Sequence, residues 1–169
     1  LSAGVGNDQT YGGAGDDTID GGDGHDLIFG NTGNDVLFGD NLEDEHKAEF
    51  FEHEFSDVLN NISNFNGILP HQLLMNLDLS SGADKIYGGT GQDIIFGQSG
   101  NDEIYGEWGK DFIYAGGDDD YVSGGFDADQ VFGGDGHDIL KGDDGNDTIK
   151  GGTGHDYAWG GSGNDVVYG

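Results

Sequence analysis

The sequence contains no cysteine, a single proline, and five basic residues against 34 acidic ones. Without cysteine no disulfide can staple the chain, although that absence assigns no compartment by itself. The shortage of Lys and Arg leaves a formal charge of −29 on 169 residues. Such a polyanion is unsuited to nucleic acid or to anionic membranes, so neither is expected as a partner. Long apolar runs are missing too, and no stretch approaches the ~20 residues of a membrane-spanning helix. No secretory signal pattern opens the chain, and Leu1 in place of Met is what a piece of a longer protein would show. Low hydrophobicity combined with charge of one sign normally leaves a chain disordered, because burial cannot offset the ordering entropy and the acids repel. The 36 glycines sharpen the problem, since Gly loses the most backbone freedom on folding, and no three-residue collagen period accounts for them. The chain is therefore either disordered or folded around a counter-charge that the sequence does not supply.

What is present is a period of nine. GGDGHDLIF at 21–29 returns as GGDGHDILK at 133–141. From Ala3 the nonapeptides begin at 3, 12, 21 and 30, and from Gly88 they begin again every nine residues as far as 160. The two registers are out of phase by four. Removing residues 42–81 joins Gly39-Asp40-Asn41 to Gly82-Ala83-Asp84-Lys85-Ile86-Tyr87, a good nonapeptide in phase with both flanks. The period is interrupted within one turn and never broken, so 1–41 and 82–169 read as one continuous domain with 42–81 inserted into it.

Fourteen repeats result. The sixth position is always Asp: Asp8, Asp17, Asp26, Asp35, Asp84, Asp93, Asp102, Asp111, Asp120, Asp129, Asp138, Asp147, Asp156 and Asp165. The fourth is Gly except at Asp118 and Asp127, and the eighth is Ile, Leu or Val except at Thr10 and Ala158. Gly in the turn admits backbone conformations closed to other residues. In the strand, period-two alternation sends position eight to one face and positions seven and nine to the other, so position eight reads as the interior column. Each nonapeptide then divides into a six-residue turn and a three-residue strand. A chain reversing at every turn gives two parallel sheets over a thin core, with repeats n and n+2 adjacent at roughly 4.8 Å and a rod of seven rungs.

GGAGDDTID, GGDGHDLIF, GGTGQDIIF and GGTGHDYAW resemble the GGxGxDxUx nonapeptides of the RTX (repeats-in-toxin), or haemolysin-type calcium-binding, family, and the resemblance covers everything except 42–81. It implies an all-β fold, a right-handed parallel β-roll, in which Asp carboxylates and turn carbonyls of two successive rungs share each Ca²⁺. The stacking argument leads to the same ion. Carboxylates brought together across rungs repel strongly, and a hard cation that accepts six to eight oxygens at flexible angles reverses the sign of that interaction. The expected ligands are the fourteen aspartates with the carbonyls of Gly13, Gly15, Gly22, Gly24, Gly33, Gly82, Gly89, Gly91, Gly100, Gly109, Gly134, Gly136, Gly145, Gly152 and Gly154. Fourteen turns form twelve n/n+2 pairs, and twelve Ca²⁺ would carry the charge from −29 to −5. Asp118 and Asp127 are the weak points, as distorted turns or as extra carboxylates. Asn31, Gln98, Glu107 and Asp143 at position two are milder, because a backbone carbonyl survives the change of side chain.

In 42–81 the apolar residues Phe51, Phe55, Val58, Ile62 and Phe65 recur at helical spacing, and Leu73, Leu74 and Leu77 follow Pro70. A helical hairpin is expected there. Its natural partner is the outer patch Val36/Phe38, Ile94/Phe96 and Phe112/Tyr114, with Phe132 below. The hairpin reads as a lid on that patch, or as a docking surface for a partner. His46, Glu49 and His53 share a helical face but lack a clear third strong ligand for zinc, so they read as a solvated polar face. His25, His137 and His155 lie at position five and read as tolerated turn residues. The aromatics at position nine read as cross-strand packing.

No catalytic constellation is present, so the segment reads as non-enzymatic. The resemblance implies a bacterial secreted or cell-surface protein, exported unfolded by a type I system and folding in external calcium to help an attached domain. The remainder of a larger parent protein is then its first partner. A second reading makes it an adhesion module that binds a surface glycan or protein through Tyr105, Tyr114 and their neighbours, or through the insertion.

Overall fold

The computed structural model describes residues 1–39 and 82–169. Within them the chain forms fifteen strands and no helix. The strands before the interruption are β1 Ser2–Val5, β2 Gln9–Ala14, β3 Thr18–Asp23, β4 Leu27–Thr32 and β5 Val36–Phe38. Those after it are β6 Lys85–Thr90, β7 Ile94–Ser99, β8 Glu103–Trp108, β9 Phe112–Gly117, β10 Tyr121–Phe126, β11 Gln130–Gly136, β12 Ile139–Asp144, β13 Thr148–Gly154, β14 Tyr157–Ser162 and β15 Val166–Tyr168. Odd-numbered strands form one sheet of eight and even-numbered strands one of seven, every pairing parallel between strands n and n+2. This is the two-sheet parallel solenoid of about seven turns that the period predicts.

One expectation needs correction. Most strands are six residues long, not three, because pairing continues from position seven of one repeat through position three of the next. Asn31 and Thr32, for example, pair with Gly89 and Thr90. Only positions four to six remain as turn. Counting strands therefore gives fifteen, one more than the repeats, since β1 precedes the first complete turn. The helical hairpin expected of 42–81, its role as a lid, and the His46–Glu49–His53 face all lie outside the described residues.

The interruption is visible in the register. Ile28 pairs with Ile86 and Phe29 with Tyr87, 58 residues apart, where uninterrupted neighbours such as Ile86 and Ile104 are 18 apart. The forty extra residues leave the ladder in phase on both sides.

Position eight is the core. Ile19, Ile28, Leu37, Ile86, Ile95, Ile104, Ile113, Val122, Val131, Leu140 and Ile149 are fully buried and form one cluster between the sheets. Val167, in the terminal strand β15, is the one aliphatic of the column that is exposed. A second cluster lies on the outer face of the eight-stranded sheet, where Val36, Phe38, Ile94, Phe96 and Phe112 are buried and Tyr114 and Phe132 pack beside them. These residues stack rung on rung, with Phe38 and Phe96 at 5.4 Å between ring centroids.

Candidate metal centre

The two sheets bring the sixth-position aspartates into two columns, one along each edge of the roll. Both edges are built alike. The backbone N–H of each Asp donates to Oδ1 of the Asp one rung on, at 2.7–3.1 Å, in all twelve n/n+2 pairs from Asp8/Asp26 to Asp147/Asp165. Each carboxylate thus stitches two turns together through one oxygen. From Asp26 to Asp147 these residues are at most 4% exposed, so the columns are interior features of the roll.

The other oxygen is the informative one. Oδ2 of Asp17, Asp26, Asp35, Asp84, Asp93, Asp111, Asp120, Asp129, Asp138 and Asp147 is buried and has no hydrogen-bond partner within the chain. A buried, unpaired carboxylate oxygen is costly, and ten of them in register require a compensating charge or a proton. The electrostatics agree. Burial, the largest influence in each case, pushes Asp84 and Asp93 up to about 6, Asp111 to about 7, and Asp120 and Asp129 to about 8. The accepted N–H bond opposes this, and the neighbouring aspartates add to it. Asp26, Asp35, Asp138 and Asp147 are raised for the same reason.

Backbone oxygens complete the donor set. At position four the carbonyl of one rung points at the Cα of the next, so a Cβ on Gly100 or Gly109 would overlap the carbonyl oxygen of Gly82 or Gly91. Gly109 also holds φ at +136°, a conformation closed to side chains. Gly109→Ala is therefore expected to lose several kcal/mol of stability, on the scale of overpacking plus backbone strain (about 1–3 kcal/mol each). Denaturant unfolding of the calcium-loaded chain reads this loss.

Asp118 and Asp127, at the same position, behave differently. Their φ values of 73° and 76° lie in the left-handed helical region, below the 97–153° spanned by the glycines that hold a positive φ. Asn31, Gln98, Glu107 and Asp143 at position two do the same, at 71–86°. The substituted turns keep the positive φ that the repeat needs, in the narrower range open to side chains. Asp127 also adds negative potential that raises Asp111 and Asp129, the extra carboxylate expected of it.

Among the described residues no three His, Asp or Glu side chains cluster as a ready-made metal cage. Carboxylates of successive rungs meet through a backbone N–H and do not face each other as a bare pair. The donors on offer are one carboxylate oxygen per turn and the carbonyls of the turns. Hard oxygens in flexible geometry, with no thiol, suit Ca²⁺ and give a softer ion nothing to hold. The residues present fit that ion.

A second ladder was not legible in the repeat pattern. At position five, Asp16 Oδ1 accepts from Asn34 N–H, Asn34 Oδ1 from Gln92 N–H, Asp119 Oδ1 from His137 N–H and Asn146 Oδ1 from Asn164 N–H, at 2.8–2.9 Å. His25 Nδ1 accepts from Ala83 N–H, and His137 Nδ1 from His155 N–H, both at 2.9 Å. These two histidines are structural acceptors and more than tolerated turn residues. The available signal was that position five carries an acceptor side chain in every repeat except those with Ala83, Lys110 and Ala128.

Four position-nine aromatics of the seven-stranded sheet pack across strands, as expected. Tyr11, Phe29, Tyr87 and Tyr105 stack at 4.9–5.1 Å with interplanar angles of 4–8°. Lys85 pairs with Glu103 beside them at 2.7 Å.

Among known families, a model of the RTX calcium-binding nonapeptide repeat in four copies matches residues 2–37, 11–44, 78–113, 105–140 and 141–169. Comparison with curated proteins and with solved structures gives no match.

Proposed function

Because the chain belongs to the RTX calcium-binding nonapeptide repeat family, we propose that it is a non-catalytic module that folds when calcium fills its two columns of turns. The observation that carries this reading is the row of ten buried Oδ2 atoms with no partner in the chain. The sixth-position aspartates and the carbonyls at positions two and four would hold the ions, about twelve in all, one for each pair of successive rungs on one edge. When bound, calcium supplies the positive charge that the sequence lacks, and its binding free energy becomes folding free energy. The chain's own residues do the rest. The Oδ1 atoms fix the spacing of the turns, the glycines let carbonyls approach across rungs, and the position-eight column closes the core.

Dependence on calcium suits a protein made where calcium is scarce and used where it is plentiful. On this reading the chain is bacterial, leaves the cell unfolded through a type I system, and folds outside to stabilise or position the remainder of a larger protein. Adhesion through the position-nine ladder is less favoured, since its stacked rings cover one another's faces.

Equilibrium dialysis against calcium in excess magnesium tests the proposal. About twelve bound calcium ions, unaffected by magnesium, is the expected result. Full competition by magnesium, which prefers rigid octahedral sites and keeps its waters, would overturn it.

A further inference from the structure

A separate feature lies on the seven-stranded sheet where its strands run into the turns, with the N–H of Gly91 and Gly109 donating to the carbonyls of Trp108 and Phe126. Register aligns position three of successive rungs as Thr90, Trp108, Phe126, Asp144 and Ser162. Trp108 and Phe126 stack at 4.0 Å between centroids, 18° from parallel, yet they are 56% and 42% exposed. The ring column stops there. One face of Phe126 is covered by Trp108, and the rungs beyond its other face carry only Asp144 and Ser162. This differs from the ladder of Tyr11, Phe29, Tyr87 and Tyr105, whose inner rings are covered on both faces.

The place where the column stops is an open groove of about 600 Å³, within the ~300–1,000 Å³ usual for small-ligand sites. Its polar lining comes from Glu107, Ser123, Asp143, Asp144 and Ser162. Gly125 lies between Glu107 and Asp143 in the register, so one carboxylate stands a rung to either side of it. Both of these acids occupy position two at positive φ, where the repeat otherwise favours Gly. Ser123 Oγ donates to Asp143 Oδ2 at 2.5 Å and fixes that carboxylate. No Lys or Arg lines the groove, so an anionic ligand is excluded.

We propose that this groove binds a neutral sugar ring, with the apolar face of a pyranose laid on the free face of Phe126 and its hydroxyls donating to Glu107, Asp143 and Asp144. A flat C–H face matches the ring, and hydroxyl donors match carboxylates, which only accept. A simple cation would need only negative charge, which the rod offers along its whole length. What sets this groove apart is an uncovered aromatic face beside fixed acceptors. The side chains that line it are not among the calcium donors proposed above, which at position two are backbone carbonyls.

The test uses the full chain in millimolar calcium with Trp159→Phe, which leaves Trp108 as the only tryptophan. Glucose-, galactose- and mannose-based di- and trisaccharides are titrated while Trp108 fluorescence and ligand saturation-transfer signals are recorded. At least one sugar should change the fluorescence saturably. Phe126→Ala should weaken its binding tenfold or more, and Asp144→Ala should weaken it several-fold, while the circular-dichroism response to calcium stays as in the parent. Silence from every sugar on a chain that folds with calcium would overturn the proposal. So would sugar binding that survives Phe126→Ala, or binding of arginine methyl ester by a chain that ignores all the sugars. Failure of the chain to fold with calcium, seen in the parallel spectra, would count against the calcium reading instead.

Discussion

Removing calcium at pH 8 is expected to convert the chain from a β-rich to a coil spectrum, and acidifying the same cation-free solution to pH 5 is expected to recover much of the β signal. The first part follows from the buried carboxylates. With no cation and no proton, Asp84, Asp93, Asp111, Asp120 and Asp129 would all have to carry charge in the interior, where burial has raised them to about 6–8. The second part is the sign of the linkage. These groups are raised above their unfolded value of about 3.9, so the folded state binds more protons than the coil between the two values. Their contribution to the stability of the cation-free roll is fully present below about pH 4 and is lost as pH rises through 6–8. Protons and calcium then compete for the same oxygens, so the calcium midpoint should rise as pH falls from 8 to 6. Far-UV circular dichroism in metal-stripped buffers checks both parts. A cation-free roll that is more stable at pH 8 than at pH 5 would show that the Oδ2 atoms are not the source of the instability.

The second large effect separates the two oxygens of one residue. Asp111→Ala removes the acceptor for Asp93 N–H, a 2.9 Å bond, and leaves a buried donor unpaired at a cost of about 1–3 kcal/mol. It also deletes a candidate ligand from the pairs with Asp93 and Asp129. Asp111→Asn keeps an oxygen in the Oδ1 position but discards the charge. In calcium the expected order of stability is Asp, then Asn, then Ala, with the calcium midpoint of Asp111→Asn raised on the order of tenfold, since ligand charge sets affinity. In chelator at pH 8 the order should change, with Asn more stable than Asp because no carboxylate need be buried there. Denaturant melts of the three chains under both conditions read this crossing. Identical behaviour of Asn and Asp in calcium would mean that Asp111 acts only through its hydrogen bond.

Much of this architecture was legible in the residues because a solenoid writes its contacts at fixed spacing. Ile104 and Ile113 are buried because position eight alternates inward. Asp93 and Asp111 meet because n and n+2 stack, and the 58-residue register between Ile28 and Ile86 is the forty-residue interruption read directly. The outer cluster of Phe38, Phe96 and Phe112 was visible for the same reason. What failed was what the repeat signature treats as filler. Strand length was underestimated because Gly12-Gly13-Ala14 and its equivalents carry no strand propensity; stacking of whole rungs, not local preference, extends the pairing through them. The acceptor role of His25 and His137 depends on the next rung's N–H, which no single nonapeptide contains. Trp108 and Phe126 occupy position three, where the pattern allows any residue, and their significance appears only once register sets them face to face. Which oxygen of each Asp is spent on the backbone, and which is left over, required coordinates.

A crystal structure of the chain grown in calcium, with ions identified by their anomalous scattering, tests the central claim most directly. The account predicts ions between successive turns along both edges, each within about 2.3–2.6 Å of an aspartate Oδ2 and turn carbonyls, with two of them in line between Asp93 and Asp111 and between Asp111 and Asp129. Oδ2 atoms that remain buried with no ion near them, in a roll that has kept its shape, would contradict it.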